Sequence, residues 1–195
     1  MQACHLVARD IACRRGDRVL FKGLSFAVRG GEALHLAGPN GIGKSSLIRI
    51  LAGLLRPFAG AVERDGTLAL SDERLALDGH QPLGAALAFW RRIDGSGDGA
   101  DGGGADFGLE DLLDVPVRYL STGQRKRAAL ARVAASRAAI WLLDEPLNGL
   151  DTQWAAMAQE CIAAHLAGGG AVVIASHQPL ALAGVRELAL RDFVA

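Results

Sequence analysis

One short run carries the strongest chemical signal in the chain. Gly38-Pro39-Asn40-Gly41-Ile42-Gly43-Lys44-Ser45-Ser46 fits the spacing Gly-x-x-x-x-Gly-Lys-Ser of a phosphate-binding P-loop. Its glycines let the backbone close into a concave nest of N–H donors. Lys44 supplies a point charge that reaches β- and γ-phosphates, and the Ser45 hydroxyl is placed to coordinate a magnesium ion. Lysine occurs only at 22, 44 and 126, yet one stands where the motif requires it. Such a motif needs a strand before it and a helix after it. Ala33-Leu34-His35-Leu36-Ala37 has the length and apolarity of a strand, and Ser46–Gly53 carries apolar residues at helical spacing.

Two carboxylates form the next candidate. The apolar run Ala139–Leu143 ends directly in Asp144-Glu145-Pro146. This predicts a buried central strand that delivers both charges at the carboxyl edge of a parallel sheet, where ligands sit in open α/β folds. Ala171–Ala175 predicts a second buried strand, ending at Ser176-His177-Gln178-Pro179. Tyr119-Leu120-Ser121-Thr122-Gly123-Gln124 precedes an alanine- and leucine-rich helix that runs to about Arg137. The basic triplet Arg125–Arg127 at its start reads as a solvated helix face.

The elements around these motifs predict one α/β domain over residues 1–195. Leu6–Ala8, Val19–Phe21 and Leu24–Val28 form short β-like runs, an antiparallel layer leading into a mainly parallel core sheet. Ala61–Arg64 and Thr67–Leu70 flank Asp65-Gly66, a hairpin signal. Leu75–Leu77 is a further apolar run, and Leu83–Ile93 suits a helix. The Gly/Asp-rich stretch 94–104 cannot bury apolar surface and reads as a mobile loop. It belongs to a small helical lobe over about 82–137, which a short helix near Leu109–Leu113 and Pro116 helps close. A helix from Thr152 to about Leu166 ends at Gly168-Gly169-Gly170, and a last strand spans about Glu187–Leu190.

Composition narrows the partners. Lys plus Arg equals Asp plus Glu at 21 each, so no basic field argues for nucleic acid. Cys4, Cys13 and Cys161 are scattered and read as reduced thiols, not as a disulfide framework or zinc site. His5 and Asp10 interrupt the N-terminus before an apolar stretch forms, so no signal peptide is expected. No run approaches the length of a membrane span.

Taken together, five separated motifs resemble the ATP-binding cassette (ABC) ATPases in kind and order. They are the P-loop at 38–46, a Gln-containing loop at Gln81, the signature-like Leu120-Ser121-Thr122-Gly123-Gln124, Asp144-Glu145-Pro146 with Leu150-Asp151 following, and His177. The resemblance covers nearly the whole chain and implies a P-loop NTPase fold of the ABC type that hydrolyses ATP with Mg²⁺. It implies that Gly38, Pro39, Asn40, Gly41, Ile42, Gly43, Lys44, Ser45 and Ser46 hold the nucleotide. Ser45, Gln81 and Asp144 would arrange the metal, Glu145 would be the general base, and His177 would hold the attacking water and the γ-phosphate. The adjacency of Asp144 and Glu145 suits this division, since one carboxylate can serve the metal while the other stays free for water. Ser121 and Gly123 would contact ATP held by a second cassette, with Asp151 contributing across the interface, so a head-to-tail homodimer is expected. Two features depart from the family: Thr122 replaces a glycine, and Arg14 and Arg15 stand where an aromatic residue usually stacks on adenine.

Within that family, Gly79-His80-Gln81-Pro82, Trp141–Pro146, Ser176–Leu180 and Arg18–Phe26 look like the heme-exporter ATPases of bacterial cytochrome c maturation. That likeness implies integral membrane partners of the CcmB/CcmC type, a peripheral place on the cytoplasmic face of the inner membrane, and no nucleic acid. Leu83, Leu87 and Trp90 are the candidates for membrane-subunit contact, against a competing reading in which they pack the lobe. The alternatives are an ABC ATPase of another exporter with lipid or drug cargo, or a soluble cassette ATPase outside transport.

Overall fold

The computed structural model describes residues 4–95 and 107–194. Its first layer is antiparallel. Strands β1 (His5–Arg15) and β2 (Arg18–Arg29) are joined by a tight turn at Gly16-Asp17, and β1 pairs on its other side with a later strand, β4 (Ala59–Asp65). Both β1 and β2 are far longer than the short runs the sequence suggests. Register shifts between Ala8 and Ile11 and again around Cys13, with Asp10 at φ 50°, break the apolar alternation that would have joined those runs.

The second layer is a parallel sheet. It consists of β3 (Ala33–Ala37), β5 (Leu68–Ser71), β6 (Ile140–Asp144), β7 (Ala171–Ser176) and β8 (Arg186–Ala189), in the order β5-β6-β7-β3-β8. Both central strands β6 and β7 are buried along their whole length, as expected for a sheet covered on two faces. Alternation divides their side chains between two cores. Ile140, Leu142 and Val173 pack with the antiparallel layer and with helix α1 (Lys44–Leu51). Trp141, Leu143, Val172 and Ile174 pack on the other face, beneath helices α3 (Thr122–Ala135) and α4 (Thr152–Ala167).

The hairpin signalled by Asp65-Gly66 does not form. β4 pairs with β1 in the antiparallel layer, whereas β5 pairs in parallel with β6, so the turn carries the chain from one sheet to the other. Gly66 takes φ +113° there, pressed against Cys4, and Thr67 holds the start of β6 by accepting from the backbone of Ala139 and Ile140. Long-range pairing thus overrides a local turn signal. The run Leu75–Leu77 is likewise a loop, with Leu77 buried in the second core.

The lobe over 82–137 holds helix α2 (Leu83–Ile93), two single 3-10 turns and α3. Backbone bonds from Leu83 to Val115 and from Gly84 to Leu113 fasten its two ends together. Most of the 94–104 loop lies outside the described residues. Leu83 is fully buried in the lobe's core, which removes it as a surface contact, while Leu87 and Trp90 are half-buried. Cys4, Cys13 and Cys161 form no disulfide among the described residues. No helix among the described residues is long and apolar enough to cross a membrane.

Candidate nucleotide site

The site forms where β3, β6 and β7 end side by side. β3 runs into the glycine loop, and α1 begins at Lys44 with Gly43 as its N-cap at φ +115°. A Cβ at Gly43 would lie 3.1 Å from the Phe21 ring, so the loop can sit this low only with glycine there. The far end of α1 is also held. Arg64, from β4, donates to the carbonyls of Leu51 and Ile50 at 2.6 and 2.8 Å. A guanidinium thus meets the negative end of the helix dipole, while the positive end opens on the loop.

Lys44 is only 5% exposed. Its ammonium donates to the carbonyls of Gly38 at 2.6 Å and Pro39 at 3.3 Å, and lies 3.4 Å from Glu145 Oε1. Glu145 also meets His177, with Oε2 2.9 Å from the ring Nδ1 and 3.4 Å from the backbone N–H. One carboxylate therefore bridges the loop lysine and the histidine beyond β7. Glu145 reaches this position by leaving the strand at φ +47°, fixed by its N–H on the Ala175 carbonyl at 2.8 Å. That backbone costs about 1–2 kcal/mol for a residue with a Cβ, a strain of the kind found at functional sites.

Asp144 stays in register with Ala175 and is 1% exposed. Its carboxylate accepts from the Ser45 hydroxyl, but Oδ1 has no hydrogen-bond partner. Burial pushes the Asp144 carboxyl above its ordinary range, the Ser45 bond opposes this, and the neighbouring Glu145, Glu73 and Asp72 charges add to the rise. A buried acceptor with an open lone pair, next to a serine hydroxyl and facing the loop, suits a hard divalent cation.

Two cavities adjoin the site. One of about 350 Å³ lies over the loop and is lined by Asn40, Gly41, Lys44, Ser45, Ser46, Glu145, Asn148 and His177, together with Glu73. The other, of about 500 Å³, separates Thr122, Arg125 and Lys126 at the start of α3 from Asp72, Glu73, Glu145 and Gly149. Burial holds the Lys126 ammonium below its usual range, against the pull of Asp144, Glu145, Glu73 and Asp72.

Not every expected residue converges here. Gln81 does not line the loop cavity. It is exposed just before α2 and borders a separate groove of about 440 Å³ with Ala76, Asp78, Phe89 and Trp90. Ser121 caps α3, accepting from Gln124 N–H at 3.2 Å while its own N–H donates to the Gln124 side chain at 2.7 Å. A Cβ at Gly123 would lie 3.0 Å from the Gly149 carbonyl, so glycine lets the helix start against that loop. Asp151 caps α4 through Trp154 N–H at 2.9 Å. These three lie away from the chain's own loop cavity. Arg14 stacks over Phe58, 4.6 Å from the ring centroid, an aromatic neighbour that the sequence pattern did not pick out. Glu73, Asn148 and Lys126 were also missed. The signal for Glu73 lay in the sheet, since β5 ends one strand away from β6.

A family model described as ABC transporter matches residues 21–148. The chain belongs to the ABC transporter ATP-binding family. Over 193 residues it is 74% identical to the cytochrome c biogenesis ATP-binding export protein CcmA of Novosphingobium aromaticivorans, covering 99% of both chains. It is 52% identical to the protein of that name from Zymomonas mobilis, covering 99% of this chain and 86% of the relative. Among solved structures, the ATP-binding subunit of an ABC transporter superposes with a TM-score of 0.80 at 22% identity, covering 88% of this chain and 79% of that one. A bacterial Atm1-family ABC exporter with ATP bound gives 0.75 at 22% identity, covering 91% of this cassette and 35% of that chain. Both structures share the cassette's fold.

Proposed function

We propose that this cassette is the ATP-hydrolysing motor of a membrane transporter that energises a heme-related step in the maturation of c-type cytochromes. The hydrolytic part rests on one arrangement, Glu145 held between Lys44 and His177 at the mouth of the P-loop. The pathway rests on the 74% identity to a cytochrome c biogenesis export protein.

The chemistry is in-line transfer of the γ-phosphoryl group of ATP to water. The loop amides and Lys44 take the phosphates, and Lys44 exchanges the Gly38 and Pro39 carbonyls for phosphate oxygens. That exchange frees Glu145 Oε1 to orient the attacking water and accept its proton, while His177 steadies Glu145 and faces the γ-phosphate. The water oxygen bonds to phosphorus as the bond to the bridging oxygen breaks, leaving ADP and phosphate. Ser45 and Asp144 would hold the Mg²⁺, which neutralises charge on the phosphate oxygens.

Ser121, Gly123 and Asp151 lie at the starts of α3 and α4, away from the chain's own loop cavity, and we assign them to ATP held by a second cassette in a head-to-tail ATP-bound homodimer. The groove beside Gln81 and α2, with Phe89 exposed and Trp90 half-buried, is where a CcmB/CcmC-type membrane subunit would dock at the cytoplasmic face. Purifying Glu145→Gln from solubilised native membranes in ATP and Mg²⁺ tests the assignment. Recovery of cytochrome c maturation membrane subunits is expected. A different permease would overturn the heme assignment, and soluble partners alone would overturn the transporter role.

A further inference from the structure

The carboxyl edge of the parallel sheet carries two Asp-Glu pairs side by side. Ser71, the last residue of β5, pairs with Leu143 of β6. Asp72-Glu73 therefore leaves β5 at the level at which Asp144-Glu145 leaves β6. The two aspartates are both anchored. Asp144 takes the Ser45 hydroxyl. Asp72 Oδ2 accepts from Arg49 Nε and Nη2 at 3.3 and 3.2 Å, and its Oδ1 accepts from the Arg74 N–H at 2.9 Å. Arg49 belongs to α1, so the turn after β5 is tied to the same helix that opens on the P-loop.

With Asp72 fixed, Glu73 borders both the loop cavity and the neighbouring one, a place it shares with Glu145 and Asn148. Glu145 has Lys44 and His177 as partners; Glu73 makes no side-chain hydrogen bond or ion pair with the described residues. A lone carboxylate at a surface is ordinarily just solvated. Here it faces a cavity lined by Ser45, whose hydroxyl meets the 1% exposed Asp144, a carboxylate that also keeps an oxygen without a partner. Two carboxylates, Glu73 and Glu145, line the space over the loop against one lysine, Lys44, and Asp144 adds a third, buried behind the Ser45 hydroxyl that lines it. Lys126 lines only the adjoining cavity. That imbalance suits a divalent cation, and an ion that keeps most of its water needs no direct contact with a second carboxylate.

We propose that Glu73 is a metal-positioning residue of the ATPase, holding the hydrated divalent ion from the β5 side while Ser45 and Asp144 hold it from the other. The inference rests on the ATPase reading above, and it transfers to Glu73 the metal-side place that the family resemblance implies for Gln81. Titrating free Mn²⁺ by its paramagnetic resonance signal, at saturating ATP, tests it in the full chain without turnover. Glu145→Gln serves as background, with Glu73→Gln, Glu73→Asp and Gln81→Ala added singly.

Glu73→Gln is expected to weaken Mn²⁺ binding about tenfold, Glu73→Asp less, and Gln81→Ala within twofold. ATP affinity in excess chelator should not fall with Glu73→Gln, because a negative charge near the phosphates has been removed. Mn²⁺ affinity unchanged in Glu73→Gln would overturn the proposal, as would an equal loss of metal-free ATP affinity. If Glu73→Gln fails to fold, Glu73→Asp decides the matter alone, since Mn²⁺ affinity equal to background would refute it. Absence of ATP-dependent Mn²⁺ binding in the background itself would bring down the metal reading of Ser45 and Asp144 as well.

Discussion

Replacing Asp144 with asparagine should make the protein more stable and its site useless. The wild-type carboxylate is buried to 1% exposure, has one oxygen without a partner, and lies near the like charges of Glu145, Glu73 and Asp72. An amide of the same shape keeps the Ser45 hydrogen bond and removes the charge. Relief of a buried, incompletely satisfied charged group is worth about 1–2 kcal/mol, or about 2–8 °C in Tm for a domain of this size.

The sign with pH follows from the raised Asp144 carboxyl. A group whose folded pKa lies above its unfolded value costs stability as pH rises through that interval. The advantage of the variant is therefore full at neutral pH and shrinks on acidification into the carboxylate range, where the wild-type proton returns. Calorimetry in chelator should show this gain and its pH dependence. With Mg²⁺ and ATP at a hundredfold excess over Kd, the wild type gains about 2.7 kcal/mol, and Asp144→Asn loses the metal-dependent part, so the order of the two Tm values reverses. A variant less stable than wild type in chelator at pH 7–8 would refute the reasoning, because Asp144 would then be compensated rather than strained.

Two further outcomes test the frame that holds the site. The His165 imidazole stacks on Trp141, with centroids 3.9 Å apart and planes within 9°, and burial holds its pKa below the ordinary 6.5. Stability should be full above pH 6.5 and fall as pH drops below it, at no more than about 1.4 kcal/mol per pH unit from this group. Urea midpoints for His165→Gln should lose that component of the slope, and an unaltered slope would contradict it. Gly60 has φ +83°, and a Cβ there would lie 2.3 Å from the Arg9 carbonyl and 2.4 Å from that of Asp10, both backbone atoms. Gly60→Ala should cost about 2–4 kcal/mol in urea unfolding; a loss under 1 kcal/mol would show that β1 and β4 can yield.

What was legible in the sequence was chemistry carried by adjacent residues. The glycine loop, the apolar run ending in Asp144-Glu145 and the strand before His177 each fold locally into what their composition dictates, and the sheet brings them together. Misplacements occurred where position depends on a distant strand. Asp65-Gly66 carries every local feature of a hairpin turn, yet Leu68 pairs with Ile140. With Thr67–Leu70 assigned to that hairpin, nothing in the local sequence brings Glu73 beside Glu145. Arg64 at the end of α1 and Phe58 under Arg14 were invisible for the same reason: each meets its partner through the pairing of β1 with β4.

The strand order of the parallel sheet also dictates the course of synthesis. β3 lies between β7 and β8, both made long after it, and the bond from the His35 ring to the Ser176 carbonyl spans 141 residues. As the chain emerges, the antiparallel layer and the P-loop helix can close early, because β1, β2, α1 and β4 are near neighbours in sequence. Ala33–Ala37 then waits as an unpaired apolar edge until residues 171–176 exist to join it. Contacts of such separation make a slow folder, and an open edge in the interval is an aggregation hazard. A nascent chain halted before β7 would therefore carry a complete glycine loop on a strand without neighbours. It would be a substrate for chaperones before it could be a motor.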